Sequence, residues 1–124
     1  MAKKVFLVDD SDLIRSMATM ALEASGHLVR ALPNWQELDA ALAGDRPDLI
    51  LMDINMPEMT GDFALTFFKE ERGLVDVPIL LYSDIDEQSL VMRAQACGAD
   101  GYISKGWGLE RLTETVDYFL HRAG

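Results

Sequence analysis

At 124 residues the chain has room for one compact domain, expected to span residues 1–124, and its 49% hydrophobic composition is enough to bury a core. Its formal net charge of −10, with 11 Lys and Arg scattered among 21 Asp and Glu, excludes the basic stripe that direct nucleic-acid binding needs and points to protein partners. No apolar run approaches the ~20 residues of a membrane helix, Met1-Ala2-Lys3-Lys4 ahead of a short strand is too short for a signal peptide, and the lone Cys97 has no partner for a disulfide or a zinc site; a soluble cytoplasmic protein, monomeric or weakly dimeric, is expected.

The first apolar run, Lys4 to Val8, reads as a strand. The spacing of Leu13, Met17, Met20, Ala21 and Ala24, stopping at Gly26, reads as the helix that follows. The unit then recurs. A strand from His27 to Leu32 precedes a helix from Asn34 to Ala43, and a strand from Asp48 to Met52 precedes a helix from Gly61 to Arg72. The fourth unit pairs Val77 to Tyr82 with Asp86 to Cys97, and the fifth pairs Asp100 to Ser104 with Trp107 to His121. Runs such as Leu49-Ile50-Leu51-Met52 and Ile79-Leu80-Leu81, apolar at every position, suit a parallel sheet covered on both faces, whereas His27 and Arg30 mark the second strand as an edge. The expected fold is a doubly wound α/β domain, (βα)5, with a parallel five-stranded sheet. Met17, Met20, Phe63 and Phe67 fall at helical spacings and are read, with Trp35, as core packing. Trp107, beside the Lys105 segment, is read as packing ahead of a partner contact, and His27 and His121 lack ligand spacing.

In such sheets ligands bind beyond the carboxyl ends of the strands, near the point where strand order reverses. Asp9-Asp10 follows strand one, Asp53 strand three, Ser83 strand four and Lys105 strand five, whereas strand two ends in Leu32-Pro33. Strand order 2-1-3-4-5 would bring all the polar ends to one crevice. Three carboxylates there repel one another and call for a hard cation, Mg²⁺, with Mn²⁺ as the alternative. With Lys105 they form a nearly neutral site suited to receive a phosphoryl group, and Asp53, at the end of the central strand, is the best-placed nucleophile. Taken singly, Asp9-Asp10-Ser11 is as readily a helix cap, and Ser83 or Lys105 a solvated side chain; the joint spacing favours the site.

Val8-Asp9-Asp10-Ser11, the run Asp53-Ile54-Asn55-Met56-Pro57-Glu58-Met59-Thr60-Gly61, and Cys97-Gly98-Ala99-Asp100-Gly101-Tyr102-Ile103-Ser104-Lys105 together resemble the receiver domains of two-component signalling. The resemblance runs essentially the whole length and is nearest to free-standing chemotaxis-type members of this flavodoxin-like fold. It implies phosphorylation of Asp53 by a histidine kinase or histidine phosphotransfer protein, and a downstream protein target reached through helices 4 and 5 and strand 5. It further implies Asp10 and Asp53 as direct Mg²⁺ ligands, the Asn55 backbone carbonyl as another, and Asp9 as a ligand through water. Ser83 would bind the phosphoryl oxygens, Lys105 would pair with them, and Tyr102 would change rotamer as Ser83 is drawn inward. Such a protein is no enzyme on a separate substrate, since it catalyses only its own phosphorylation and dephosphorylation.

Two positions depart from the pattern: Asp84 follows the switch hydroxyl where Ala or Gly is usual, and Gly106 follows the lysine where Pro is usual. Asp84, Asp86 and Gly106 are therefore expected to modulate access. A cis bond before a non-proline residue costs ~2.5–4 kcal/mol, so Lys105-Gly106 is expected to be trans, with a looser or displaced loop to Trp107. The alternatives fare less well. A dehalogenase-type phosphatase needs an acid where Asn55 stands, and a flavin-binding loop would not carry Asp9-Asp10. A phosphorylation-independent pseudo-receiver acting as an adaptor is the remaining reading.

Overall fold

The computed structural model describes residues 2–56 and 58–123. Five strands, β1 (Lys4–Val8), β2 (Leu28–Leu32), β3 (Leu49–Asp53), β4 (Ile79–Ser83) and β5 (Gly101–Ser104), alternate with helices α1 (Asp12–Ala24), α2 (Trp35–Leu42), α3 (Gly61–Glu71), α4 (Glu87–Cys97) and α5 (Leu109–Ala123). All neighbouring strands pair in parallel, and the order is β2-β1-β3-β4-β5, as the distribution of polar strand ends predicts. Pro57, within the run from Asp53 to Gly61, lies outside the described residues.

The period of two along each strand divides the core between the faces. Phe6, Val8, Ile50, Met52 and Leu81 pack against Leu38 of α2, Leu65 and Phe68 of α3 and Leu90 of α4. Val5, Leu7, Leu49, Leu51, Leu80 and Ile103 pack on the other face against Ala18 and Leu22 of α1 and Leu112, Val116 and Leu120 of α5. Each fully buried Leu contributes about 1.5–3 kcal/mol through the apolar area it removes from water. This double cover is why every position of β3 and β4, and of β1 after Lys4, is buried. At the edge, β2 leaves Leu28, Arg30 and Ala31 exposed.

Helix starts follow local side-chain chemistry. Ser11 Oγ accepts from Ile14 N, Asn34 Oδ1 from Glu37 N at 2.8 Å, and Asp86 Oδ1 from Ser89 N at 2.9 Å. Gly98, in the left-handed region at φ +79°, ends α4.

Two expectations need correction. On α1 the buried stripe is Ala18 and Leu22, with Ile14 partly buried; Met17 and Met20 are 41% and 70% exposed. The Leu13-Met17-Met20 stripe sits one residue, roughly 100°, around the helix from the buried one, and both have helical spacing. Phe63 is likewise 65% exposed, while Phe67 packs edge-on against Phe68 under the Arg72 guanidinium. No cis peptide bond occurs among the described residues, so Lys105-Gly106 is trans. In place of a loose loop, Lys105–Trp107 forms a single 3-10 turn whose Gly106 amide donates to Ser104 Oγ at 3.2 Å.

Candidate functional site

The parallel register sets Val8 beside Met52 and Asp53 beside Tyr82, so the chain leaves β1 and β3 at neighbouring points on one edge of the sheet. Asp9, fully buried, is fixed by its own backbone: its amide donates to Leu32 O at 3.0 Å and its carbonyl accepts from Arg15 Nη1 at 2.5 Å. Asp9 Oδ1 accepts from the Ser11 amide at 2.9 Å. Asp53 is 1% exposed; its Oδ1 accepts from Asn55 N at 3.2 Å and from Lys105 Nζ at 3.3 Å, and its Oδ2 has no hydrogen-bond partner among the described residues.

Lys105 reaches back from the far side of the sheet, with Nζ 2.7 Å from Asp9 Oδ2 and 5.4 Å from the centre of the Tyr82 ring. The contact with Asp9 is an ion pair without a well-aligned hydrogen bond, which leaves that buried oxygen open to a further positive partner. Burial pushes the Asp53 carboxyl up, and the Asp9 charge adds to it; Lys105 and the Asn55 amide offset only part, so Asp53 titrates at about 6 rather than 3.8. Burial pulls the Lys105 ammonium down, but Asp9 and Asp53 outweigh it and raise the net value, keeping Lys105 charged.

Asp10, Ser11, Ile14, Asp53, Asn55, Asp84 and Lys105 line one open cleft of about 370 Å³. Asp9, Asp10 and Asp53 each offer a carboxylate oxygen within 4.8 Å of the others. An all-carboxylate set with one unaligned buried oxygen and a raised carboxyl fits a hard divalent cation.

The predicted residues do not all meet there. Ser83 is fully buried at the end of β4, where its Oγ accepts from Ile85 N at 3.2 Å, and it does not line the cleft. Tyr102 lies half-buried in β5 opposite Leu81, its ring 5.6 Å from that of Trp107. Asp84 borders the cleft, whereas Asp86 does not line it and accepts from Ser89 through both carboxylate oxygens at the start of α4. Gly106 is exposed within the 3-10 turn.

Gly61, which ends the run that starts at Asp53, also shapes the site. Gly61 donates its amide to Ile54 O at 2.9 Å, and a Cβ built on it would lie 1.9 Å from the Asp53 carbonyl oxygen. A glycine at a fixed distance after a strand-terminal acid is the signal that marks such a close backbone approach.

Residues 5–117 match the response regulator receiver domain. The polar-differentiation response regulator DivK of Brucella anthropi is 32% identical over 121 residues, covering 97% of this chain and 98% of DivK. The phosphate regulon transcriptional regulatory protein PhoB of Pseudomonas aeruginosa is 31% identical over 122 residues, which cover 98% of this chain; the chain spans about half of PhoB, 53%. The solved chemotaxis response regulator CheY4 of Vibrio cholerae superposes with a TM-score of 0.87 at 29% identity, over 96% of this chain and 99% of that one.

Proposed function

The chain belongs to the response regulator receiver family, and on that premise we propose that it accepts a phosphoryl group on Asp53 and passes the change to a protein partner. The observation that carries this reading is Asp53 itself: a buried carboxylate whose Oδ1 is held by Asn55 and Lys105 while Oδ2 is left without a donor among the described residues. Oδ2 would attack the phosphorus of a phosphohistidine in a kinase or phosphotransfer protein. An O–P bond forms, the N–P bond breaks, and the donor imidazole leaves with the electron pair.

Asp9, Asp10, Asp53 and the Asn55 carbonyl would hold Mg²⁺, or Mn²⁺ in its place. When bound, the ion supplies neutralisation of charge on the transferred oxygens. Lys105, already 3.3 Å from Asp53, would follow the new anion, and Ser83 would turn its hydroxyl from the Ile85 amide toward it. That movement would bring Tyr102 with it and alter the surface of α4, β5 and α5. Intact-mass analysis after incubation with acetyl phosphate and Mg²⁺ should show one added phosphoryl group, absent with EDTA and absent in Asp53→Asn. A stable adduct on Asp53→Asn would overturn the assignment.

Asp84 adds a third carboxylate to the lining of the cleft, beside Asp10 and Asp53. Across several ångströms of solvent, one such charge slows an incoming small anion by about threefold at low ionic strength. Asp84→Ala should therefore react about threefold faster with acetyl phosphate in dilute buffer, the advantage fading as salt is added. A kinase can offset the repulsion through contacts away from the cleft and should be less affected. Stopped-flow tryptophan fluorescence measures both rates, and equal acetyl-phosphate rates in dilute buffer would remove Asp84 from any guarding role.

A further inference from the structure

Trp107 ends the 3-10 turn that begins at Lys105 and is half-buried. Its Nε1 donates to Glu87 Oε1 at 3.1 Å, and Glu87 is the first residue of α4. The indole also lies 5.6 Å from the Tyr102 ring at 54°, with the Arg111 guanidinium 3.6 Å from its centroid. One side chain thus touches α4, β5 and α5. Packing alone asks only for the ring; the aimed N–H and its carboxylate acceptor are additional, and a bond to an ionised acceptor is among the stronger kinds.

The two ends of this bond have a common origin. Trp107 stands two positions after Lys105, and Glu87 four positions after Ser83. Each intervening segment is stiffened by a serine hydroxyl, Ser104 Oγ accepting from Gly106 N and Ser83 Oγ from Ile85 N, both at 3.2 Å. The two ends of the indole bond therefore lie on the short segments that follow the cleft lysine and the strand-four hydroxyl.

We propose that the Trp107–Glu87 bond is a latch that ties the first turn of α4 to the Lys105 segment, so that a change at Asp53 reaches α4 through the indole. The proposal deepens the phosphoacceptor reading and rests on it. Trp107 acts here as a positioning residue: it touches no reacting atom and does not line the cleft.

The test is amide hydrogen exchange by NMR at Leu90, Val91 and Met92, with and without Mg²⁺ and beryllofluoride. Trp107→Phe keeps a ring and removes the donor, Glu87→Ala removes the acceptor, and Glu87→Gln keeps a neutral acceptor. Without beryllofluoride, the first two should exchange about threefold to tenfold faster than the parent at these amides, and Glu87→Gln should fall between the parent and Glu87→Ala. With beryllofluoride, the change at α4 should shrink by at least about half in the first two. Parental exchange at α4 in Glu87→Ala, or a full beryllofluoride response in both Glu87→Ala and Trp107→Phe, overturns the latch. If beryllofluoride perturbs neither Asp53 nor α4 in the parent, the phosphoacceptor reading fails instead, while the exchange comparison without it still decides whether the bond holds α4.

Discussion

Gly61→Ala is expected to lower stability by about 3 kcal/mol and to slow phosphorylation of Asp53 by at least about tenfold. The added methyl would fall 1.9 Å from the Asp53 carbonyl oxygen, 2.6 Å from its carbon and 2.9 Å from Ile54 Cα, all backbone atoms. A flexible side chain could swing aside from such a contact; the end of β3 cannot. Asp53 is paired with Tyr82 in the sheet, and Ile54 is fully buried. Relief requires α3 to retreat, breaking the bond from Gly61 N to Ile54 O, or β3 to shift, moving the Asp53 carboxylate off its Asn55 and Lys105 partners. Displacement of a reacting group by about 1 Å can cost a hundredfold in rate, so tenfold allows for partial relaxation. Gly44→Ala is the control, because a Cβ there meets nothing within 4 Å. Urea denaturation of both variants, with phosphorylation followed by intact mass, checks the expectation. A Gly61→Ala protein within about 1 kcal/mol of the parent would show that the loop yields more easily than this packing implies.

What could be read before the fold was known depended on whether a feature rests on local chemistry or on packing. The doubly wound order was legible because Asp9, Asp53, Ser83 and Lys105 end four strands while Leu32-Pro33 ends the other. Placing strand two at an edge sets those four side by side, and the order 2-1-3-4-5 does so. The helix caps were less evident, since Asp86 carries the same carboxylate whether it guards a cleft or caps α4; its two bonds to Ser89 decide for the cap. The core face of α1 was misread for a different reason. Periodicity identifies a stripe but not the direction in which it points, and the short Ala18, which lets α1 sit close to the sheet, gives a weaker apolar signal than Met17 or Met20. Gly61 is marked only by its fixed distance after Asp53, and the Trp107–Glu87 bond joins residues through tertiary approach, about which neighbouring sequence is silent.

Asp53→Asn is expected to raise stability in the absence of divalent ions, by about 2 kcal/mol at neutral pH, while abolishing phosphorylation. An acid of ordinary affinity releases its proton near 3.8, but Asp53 holds it to about 6, first because it is buried and next because Asp9 lies beside it. The folded chain thus binds this proton more tightly than the unfolded chain does. The stability that follows is fully present below about pH 4 and is lost as pH rises through about 6, a span worth about 3 kcal/mol. At 1% exposure, solvent does little to screen it. An amide of the same shape has no charge to desolvate, still accepts from the Asn55 amide and leaves Lys105 its pairing with Asp9; the loss of one ion-pair partner reduces the gain to about 2 kcal/mol. Magnesium should act in the opposite sense, stabilising the parent by about 1.4 kcal/mol for each tenfold excess over its dissociation constant and doing much less for the amide. Urea denaturation across roughly pH 4 to pH 7.5, with EDTA or with excess MgCl2, gives the four curves needed. The variant's advantage should be near zero at the acid end, grow through about pH 6, and close when magnesium is added. Parallel pH profiles for parent and variant in EDTA would mean that Asp53 is not held against its charge, and the electrostatic account of the cleft would fall with it.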